Sequence, residues 1–507
     1  MPSWRKQESW QWYSFAHPRF YRGSLCSDAL TTSKDMMKPG SGRLTGLMFV
    51  VALTVTLVAA LSIQARATYN AQVTADEPQY LITALSLGED FDLDISDELE
   101  AERFRDFHEV NLNPQTIALD DAGLKISPHD PLLPLLLALP MKLGGWELAK
   151  ATLSLIAGIT AAATLWLAVR RFNVGTSTAA CVVTALFCAS PLTSYGSQVY
   201  PAMPAALCVV LGVAGVTSRS SKPWSWIAVA MIVCLPWLGV KYVPLAAVLT
   251  IFLVWNKKSL HDATLNLQLC TLVFSTAIYL IVHYRIYGSW TVYATGDHFV
   301  NSEWIVVGNS PNYAGRTRRL LGLIVDRRFG IAAWTPTYLI LPLVLTRTIR
   351  RRDEHWQLAV SLCVVCWGIA TWIALTMHGW WWSGRQIVPI LPLVVILLAA
   401  AVDKHRRAFQ AVVLTSLLGT ISWLWLVFET STGRHTLIVD FERTTNPWYR
   451  LWSRFLPDHQ VMSTVDHFLT AIWSAALIFG CWWVWSRFSP KTESQSATKS
   501  EDFDNTR

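Results

Sequence analysis

The sequence predicts an all-α polytopic membrane protein of about 12 transmembrane helices, with a long first outer loop carrying short interfacial helices. Three observations predict this class. Only 15% of the 507 residues are charged and 52% are hydrophobic, whereas a soluble domain carries roughly 25% charge. Charge-free runs long enough to cross about 30 Å of hydrocarbon recur along the chain. The loops between them alternate between short basic segments and long mixed ones, the pattern that fixes orientation in a bilayer. The charge deficit excludes an ordinary cytosolic enzyme. Lys and Arg number 42 against 35 Asp and Glu, a net charge of +7. That is too small and too dispersed for a nucleic-acid binder, so no nucleic-acid partner is expected.

The polar, basic segment 1–44 is too long for a signal peptide, so the run at about 45–63 is expected to be an uncleaved anchor. A transmembrane domain over 45–488 follows, with outer loops at about 64–147, 284–330 and 429–463. The later spans are expected at 148–169, 174–191, 201–217, 224–240, 242–255, 263–283, 331–346, 356–377, 386–402, 408–428 and 465–486. The short loops hold Arg170 and Arg171, Arg219 and Lys222, Lys257 and Lys258, Arg347 with Arg350 to Arg352, and Lys404 with Arg406 and Arg407. The positive-inside rule places these loops and both termini in the cytoplasm. The Ser-, Lys- and Asp-rich tail 489–507 is expected to be disordered there.

Residues 223–255 contain one charge, Lys241, and admit one long span or two short ones. The hairpin is favoured, because one span would carry the Arg350–Arg352 cluster to the outside. Of the nine cysteines all but Cys26 lie in apolar runs, and Cys363 with Cys366 has no polar neighbours. Apolar packing is expected of them.

Candidate chemistry begins after the first span, at Thr74-Ala75-Asp76-Glu77-Pro78-Gln79-Tyr80. Thr74 and Glu77 have capping-box spacing, and Pro78 falls in a first turn, where its missing N–H costs least. A short amphipathic helix is expected here on the outer membrane surface, with Asp76 ionised at its N-terminus. Such a carboxylate can take a proton or hold a divalent cation; the plainer reading is that both acids only cap the helix. Lys241, His378 and Arg385 fall at outer ends of different spans. They suit a lipid phosphate there, or simply snorkel to headgroups. Asp90, Asp92 and Asp94 alternate with Phe91, Leu93 and Ile95 as an extended segment. An EF-hand would need glycine at Ile95 and glutamate at Ala101. Residues 97–109 read as a solvated amphipathic helix, and Trp380 to Trp382 as an aromatic belt or a sugar-stacking surface. The chain has no P-loop, GxGxxG or HExxH, so no nucleotide cofactor is expected.

The string Asp76-Glu77-Pro78-Gln79-Tyr80-Leu81, just after the first span, resembles the acidic motif of GT-C membrane glycosyltransferases. The likeness is to the group containing protein O-mannosyltransferases and lipid A aminoarabinose transferases, and more closely to bacterial relatives reading Asp-Glu-Pro-x-Tyr-Leu. Further segments agree in order: Ser127-Pro128-His129-Asp130-Pro131, Pro236-Trp237 with Lys241-Tyr242, Leu321-Gly322 through Asp326-Arg327-Arg328-Phe329-Gly330, and Trp381-Trp382-Ser383-Gly384-Arg385 with Pro389 and Pro392. Asp130 departs from a common glycine, and Gly239 from a second basic residue.

The resemblance implies a GT-C-like glycosyltransferase of the bacterial cytoplasmic (inner) membrane, active on its outer face. Its donor would be a sugar on polyprenyl phosphate, and its acceptor a glycan, lipid or protein. Asp76 would serve as base in an inverting displacement, with Glu77 orienting it or sharing a divalent metal, Mg or Mn. Lys241, Arg385, His129 and Arg328 would hold the donor phosphate, while Tyr80, Tyr242, His378 and Trp382 are pocket candidates. Two rivals stand beside this reading. A secondary transporter would show related halves, and the sequence has no internal repeat. A lipid-linked glycan polymerase or ligase would not need the acidic pair so near the first span.

Overall fold

The computed structural model describes residues 41–118, 125–218, 222–256, 263–291, 312–374 and 376–489. The segment 1–40, the tail from 490, the basic residues Arg219, Lys257 and Lys258, and the centre of the 284–330 loop lie outside the described residues.

Hydrocarbon offers no partner to backbone N–H and C=O groups, so an apolar chain must satisfy them within its own helices. In order these are α1 (Ser41–Ala60), α2 (Glu77–Glu89), α3 (Ser96–Glu100), α4 (Leu132–Arg170), α5 (Thr176–Phe187), α6 (Ala202–Val216), α7 (Lys222–Leu238) and α8 (Val243–Trp255). Then come α9 (Ala263–Tyr287), α10 (Arg319–Val325), α11 (Leu341–Arg351), α12 (Trp356–Gly368), α13 (Leu391–Val402), α14 (Arg406–Ser431), α15 (Pro447–Trp452) and α16 (Thr464–Arg487). The described strands are the two-residue pair β1 (Ile117–Ala118) and β2 (Lys125–Ile126), antiparallel with Ile117 opposite Ile126.

The protein is a multi-pass membrane protein. Among the described residues six helices are long and apolar enough to cross a bilayer unaided. Every expected span coincides with helical structure, but several of these helices are short, such as α5 with 12 residues and α13 with 12. The short helices line the protein interior: nearly all of α6 and α13 is buried. The long ones present apolar faces outward. On α16, Phe468, Ile472, Ile478, Phe479, Trp482 and Trp483 are all exposed, which a water-facing surface would not tolerate and lipid supplies.

Two of the described breaks fall at glycines. Gly239 ends α7, and a 3-10 turn over Val240–Tyr242 leads into α8, so residues 223–255 form two packed helices with Lys241 in the turn. Gly144 and Gly145 interrupt α4 with non-helical dihedrals, Gly145 at φ 61°. The portion before the break packs on α2 rather than spanning, so the first outer loop ends in a helix that hydropathy alone had merged into loop.

The loops then sort to two ends. Asn173 donates to Glu354 at 2.6 Å, the Gly175 N–H to Asp403 at 3.1 Å, and Arg350 to the Phe488 carbonyl at 2.8 Å. The basic loops after α4, α11 and α13 and the end of α16 therefore meet at one end. The turns bearing Asp76, His129, Lys241 and Arg385 meet at the other.

Four local expectations are corrected. Helix α2 is not an amphipathic surface helix: Tyr80, Leu81, Ile82, Ala84 and Leu85 are all buried against the first part of α4. Its N-cap is Asp76, not Thr74, because Ala75 takes a left-handed φ of 55° between them. Residues 90–95 are not extended, since Phe91 turns the chain at φ 65°, and residues 97–109 split into α3 and a 3-10 turn at Arg103–Asp106.

Candidate active site

Asp76 stands at the start of α2 and is paired with Arg385, which comes from the loop between α12 and α13. That loop turns at Gly384 with φ 79°, a backbone state most side chains resist. A Cβ there would lie 2.8 Å from Ile331 Cγ2 and 3.1 Å from Pro191 Cγ. The glycine therefore lets the Arg385 backbone pass close to the neighbouring turns. The guanidinium lies 4.1 Å from the Tyr200 ring centre and 4.7 Å from that of Trp381, a desolvated cation-π sandwich that holds the fork in one plane.

His129 closes a second side. Its ring stacks on Tyr80 at 4.5 Å, and Tyr80 meets Tyr200 edge-on at 6.4 Å. Lys241, from the α7–α8 turn, lies over the Tyr242 ring at 5.3 Å and reaches the Gln386 side-chain oxygen at 3.4 Å. Its turn is anchored by Asp130, which accepts from the Val240 N–H at 3.3 Å, from the Tyr279 hydroxyl at 3.2 Å and from His283 Nε2 at 3.1 Å.

Burial pushes the Asp76 carboxyl up, but Arg385, His129 and Lys241 more than reverse this and hold it near 2. Burial likewise opposes charge on Arg385, and Asp76 overcomes it, leaving the guanidinium firmly protonated. On His129 burial wins over Asp76 and lowers its basicity. Two donors stand without a partner, Arg385 Nε and the Tyr200 hydroxyl, each buried and making no hydrogen bond. His129 Nε2 is buried and unpartnered too, but its Nδ1 donates to the Pro128 carbonyl, so in the neutral ring Nε2 is an acceptor. Orphaned buried donors are rare and costly, and donors gathered around an arginine fit phosphate oxygens.

Glu77 points elsewhere. It is wholly buried and accepts the Val199 N–H at 2.7 Å and the Thr74 N–H at 3.1 Å. Burial raises its pKa against the pull of Lys150 and those two N–H groups. It thus locks the start of α2 to the Ser197–Tyr200 turn and so places Tyr200 over Arg385.

The other candidates sit apart. Arg328 pairs with Glu442 at 3.3 Å and Asp458 at 3.7 Å. His378 faces Asp326 at 3.5 Å, where His459 also binds. Burial pushes Asp326 up, yet His378 and His459 hold it well below the usual carboxylate range. Trp382 is fully buried among Trp334, Trp423 and Phe441 and offers no surface to a sugar. Its neighbour Trp381 touches Arg385 instead. Tyr200, Gln386 and the anchor His283 were invisible in the sequence, Tyr200 because it opens an uncharged apolar run.

No protein-family model matches the chain, and no curated protein does. Among solved structures it is similar to ArnT from Cupriavidus metallidurans in the apo state, at 15% identity and a TM-score of 0.49, covering 87% of this chain and 77% of that one. It is similar also to the same protein bound to undecaprenyl phosphate, at 15% identity and a TM-score of 0.49, covering 86% and 78%.

Proposed function

We propose that this protein is a membrane glycosyltransferase that moves a sugar from a polyprenyl-phosphate donor to an acceptor at the outer face of the bacterial cytoplasmic membrane. The observation that carries the reading is the pair of unpartnered buried donors on Arg385 and Tyr200 beside the Asp76 carboxylate. The order of motifs from Asp76 to Pro392 supports the same reading.

In the resting site Asp76 is the anion on Arg385. A donor phosphate takes over the arginine fork, with Lys241 as a point charge and the Tyr200 hydroxyl as a further donor; His129 Nε2 joins them only once the ring is protonated. The released Asp76 loses the main cause of its depressed pKa and becomes a stronger base. It then accepts the acceptor proton as the acceptor oxygen attacks the anomeric carbon and the bond to phosphate breaks. Charge building on the departing phosphate meets fixed positive groups, the usual source of most rate enhancement. Donor binding thus switches on the base.

A divalent metal on Asp76 and Glu77 does not fit these residues. Asp76 already faces Arg385, and Glu77 is filled by two backbone N–H groups and faces Lys150. No step is assigned to one.

Reconstitution tests the proposal. Proteoliposomes holding the wild type and a polyprenyl-phosphate-sugar pool from the host should transfer labelled sugar to envelope acceptors, and Arg385→Ala should not. Solute uptake with no lipid donor and no transfer would refute it.

A further inference from the structure

Below the proposed site, where α2 ends, three acidic side chains meet. Asp90 caps the C-terminus of α2, its N–H on the Ser86 carbonyl at 2.8 Å, and Asp97 and Glu98 come from α3. One carboxylate oxygen from each lies within 4.8 Å of the others. Asp90 and Asp97 are exposed, but Glu98 is only 3% exposed, and its Oε2 is buried with no hydrogen-bond partner. A buried carboxylate oxygen without a donor, aimed at two further carboxylates, is expensive unless a positive charge joins it.

The charges around this group give Glu98 Oε2 no hydrogen-bonded cation, although Arg103 attracts Glu98 from a distance. Arg103, in the turn after α3, is committed to Glu89 through two hydrogen bonds of 3.0 and 3.1 Å. Lys142 lies over the Phe91 ring at 5.2 Å. Asp92 and Asp94 are occupied by Ser86, Ser96 and backbone N–H groups.

We infer that Asp90, Asp97 and Glu98 form a divalent-cation site, of the oxygen-only chemistry that suits Ca2+. Oxygens 2.3–2.6 Å from one Ca2+ are up to about 5 Å apart, so three ligand atoms within 4.8 Å of one another can share one such ion. The cation also sits at the negative end of the α2 dipole. It joins the end of α2 to α3, bracing the helix whose other end presents Asp76. The site is separate from Asp76, and it stands whether or not the protein transfers sugars.

Calorimetric titration of Ca2+ into the EDTA-treated full-length protein in detergent tests it. The expected result is one saturable site. Glu98→Gln keeps the shape of the side chain without its charge, so it keeps the wild-type melting temperature in EDTA and weakens Ca2+ at least about tenfold. Asp97→Asn is the second variant and weakens it too, while Asp76→Asn binds as the wild type. Absent binding at millimolar Ca2+, unaltered binding in Glu98→Gln, or binding lost in Asp76→Asn would each overturn the inference.

Discussion

Replacing Asp76 with asparagine should silence transfer and, at the same time, tighten the binding of the donor's phosphate. In the resting protein Arg385 is shared between its carboxylate partner and any incoming anion. Against the burial that would raise it, Arg385 and its neighbours hold Asp76 near 2 instead of 3.8. A depression of that size corresponds to about 2.5 kcal/mol in favour of the ionised carboxylate. A phosphate that takes over Arg385 must give up much of that interaction. Asparagine keeps the shape but releases the fork, so binding should tighten by about 5- to 50-fold, the upper value applying when the whole interaction is recovered. Transfer should fall by about 10²–10⁴-fold, the usual contribution of a positioned base. Native mass spectrometry or thermophoresis with a polyprenyl phosphate of defined length reads the first, and labelled-sugar transfer reads the second. Unchanged or weaker binding by a folded Asp76→Asn variant would refute the idea that Asp76 and the donor compete for Arg385.

Other expectations follow from neighbouring residues. Glu77→Ala leaves the Val199 and Thr74 N–H groups and Lys150 without their shared partner, at a cost of about 3–5 kcal/mol; the loss is read as a lower melting temperature and poor recovery from detergent, with the conservative Glu77→Gln milder. Gly384→Ala strains a φ of 79° and crowds Ile331 and Pro191. It should cost about 1–2 kcal/mol and depress transfer by displacing Arg385, with melting and rate measured together. The pH dependence has a defined sign. Asp76 has a lowered folded pKa, so its stabilisation is full above about 3.8 and fades as pH falls towards 2. Melting temperature between pH 4 and 2 should fall less steeply for Asp76→Asn than for the wild type.

The membrane class was readable from the sequence because it depends on quantities a sequence states directly, namely charge-free length and the placement of arginine and lysine. The same counting left Leu132–Leu143 in the first outer loop, since the apolar run between Asp130 and Lys142 is too short to span. It missed the break at Gly144 and Gly145 because it saw no helix there to break. At the site, Asp76, His129, Lys241 and Arg385 were legible as charged or titratable residues at the margins of apolar runs. Their convergence was not, because it depends on how four separate turns pack. Capping spacing described half of what Glu77 does, reaching back to Thr74. Its bond to the Val199 N–H is a contact across 122 residues that no local pattern announces. Tyr200 and His283 carry no signal at all: each is one polar group within an apolar segment, and only packing shows that one covers Arg385 and the other holds Asp130. Trp382 shows the converse, an aromatic residue in a suggestive run that packing consigns to the core.

The most direct test of the central claim is mass spectrometry of the lipids that co-purify with the wild type and with Asp76→Asn. A site that keeps its donor but lacks its base should retain it, so a polyprenyl-phosphate sugar enriched in the variant is the predicted result, and its mass names the sugar. Only bulk phospholipids in both preparations, from membranes shown to contain such donors, would contradict the account.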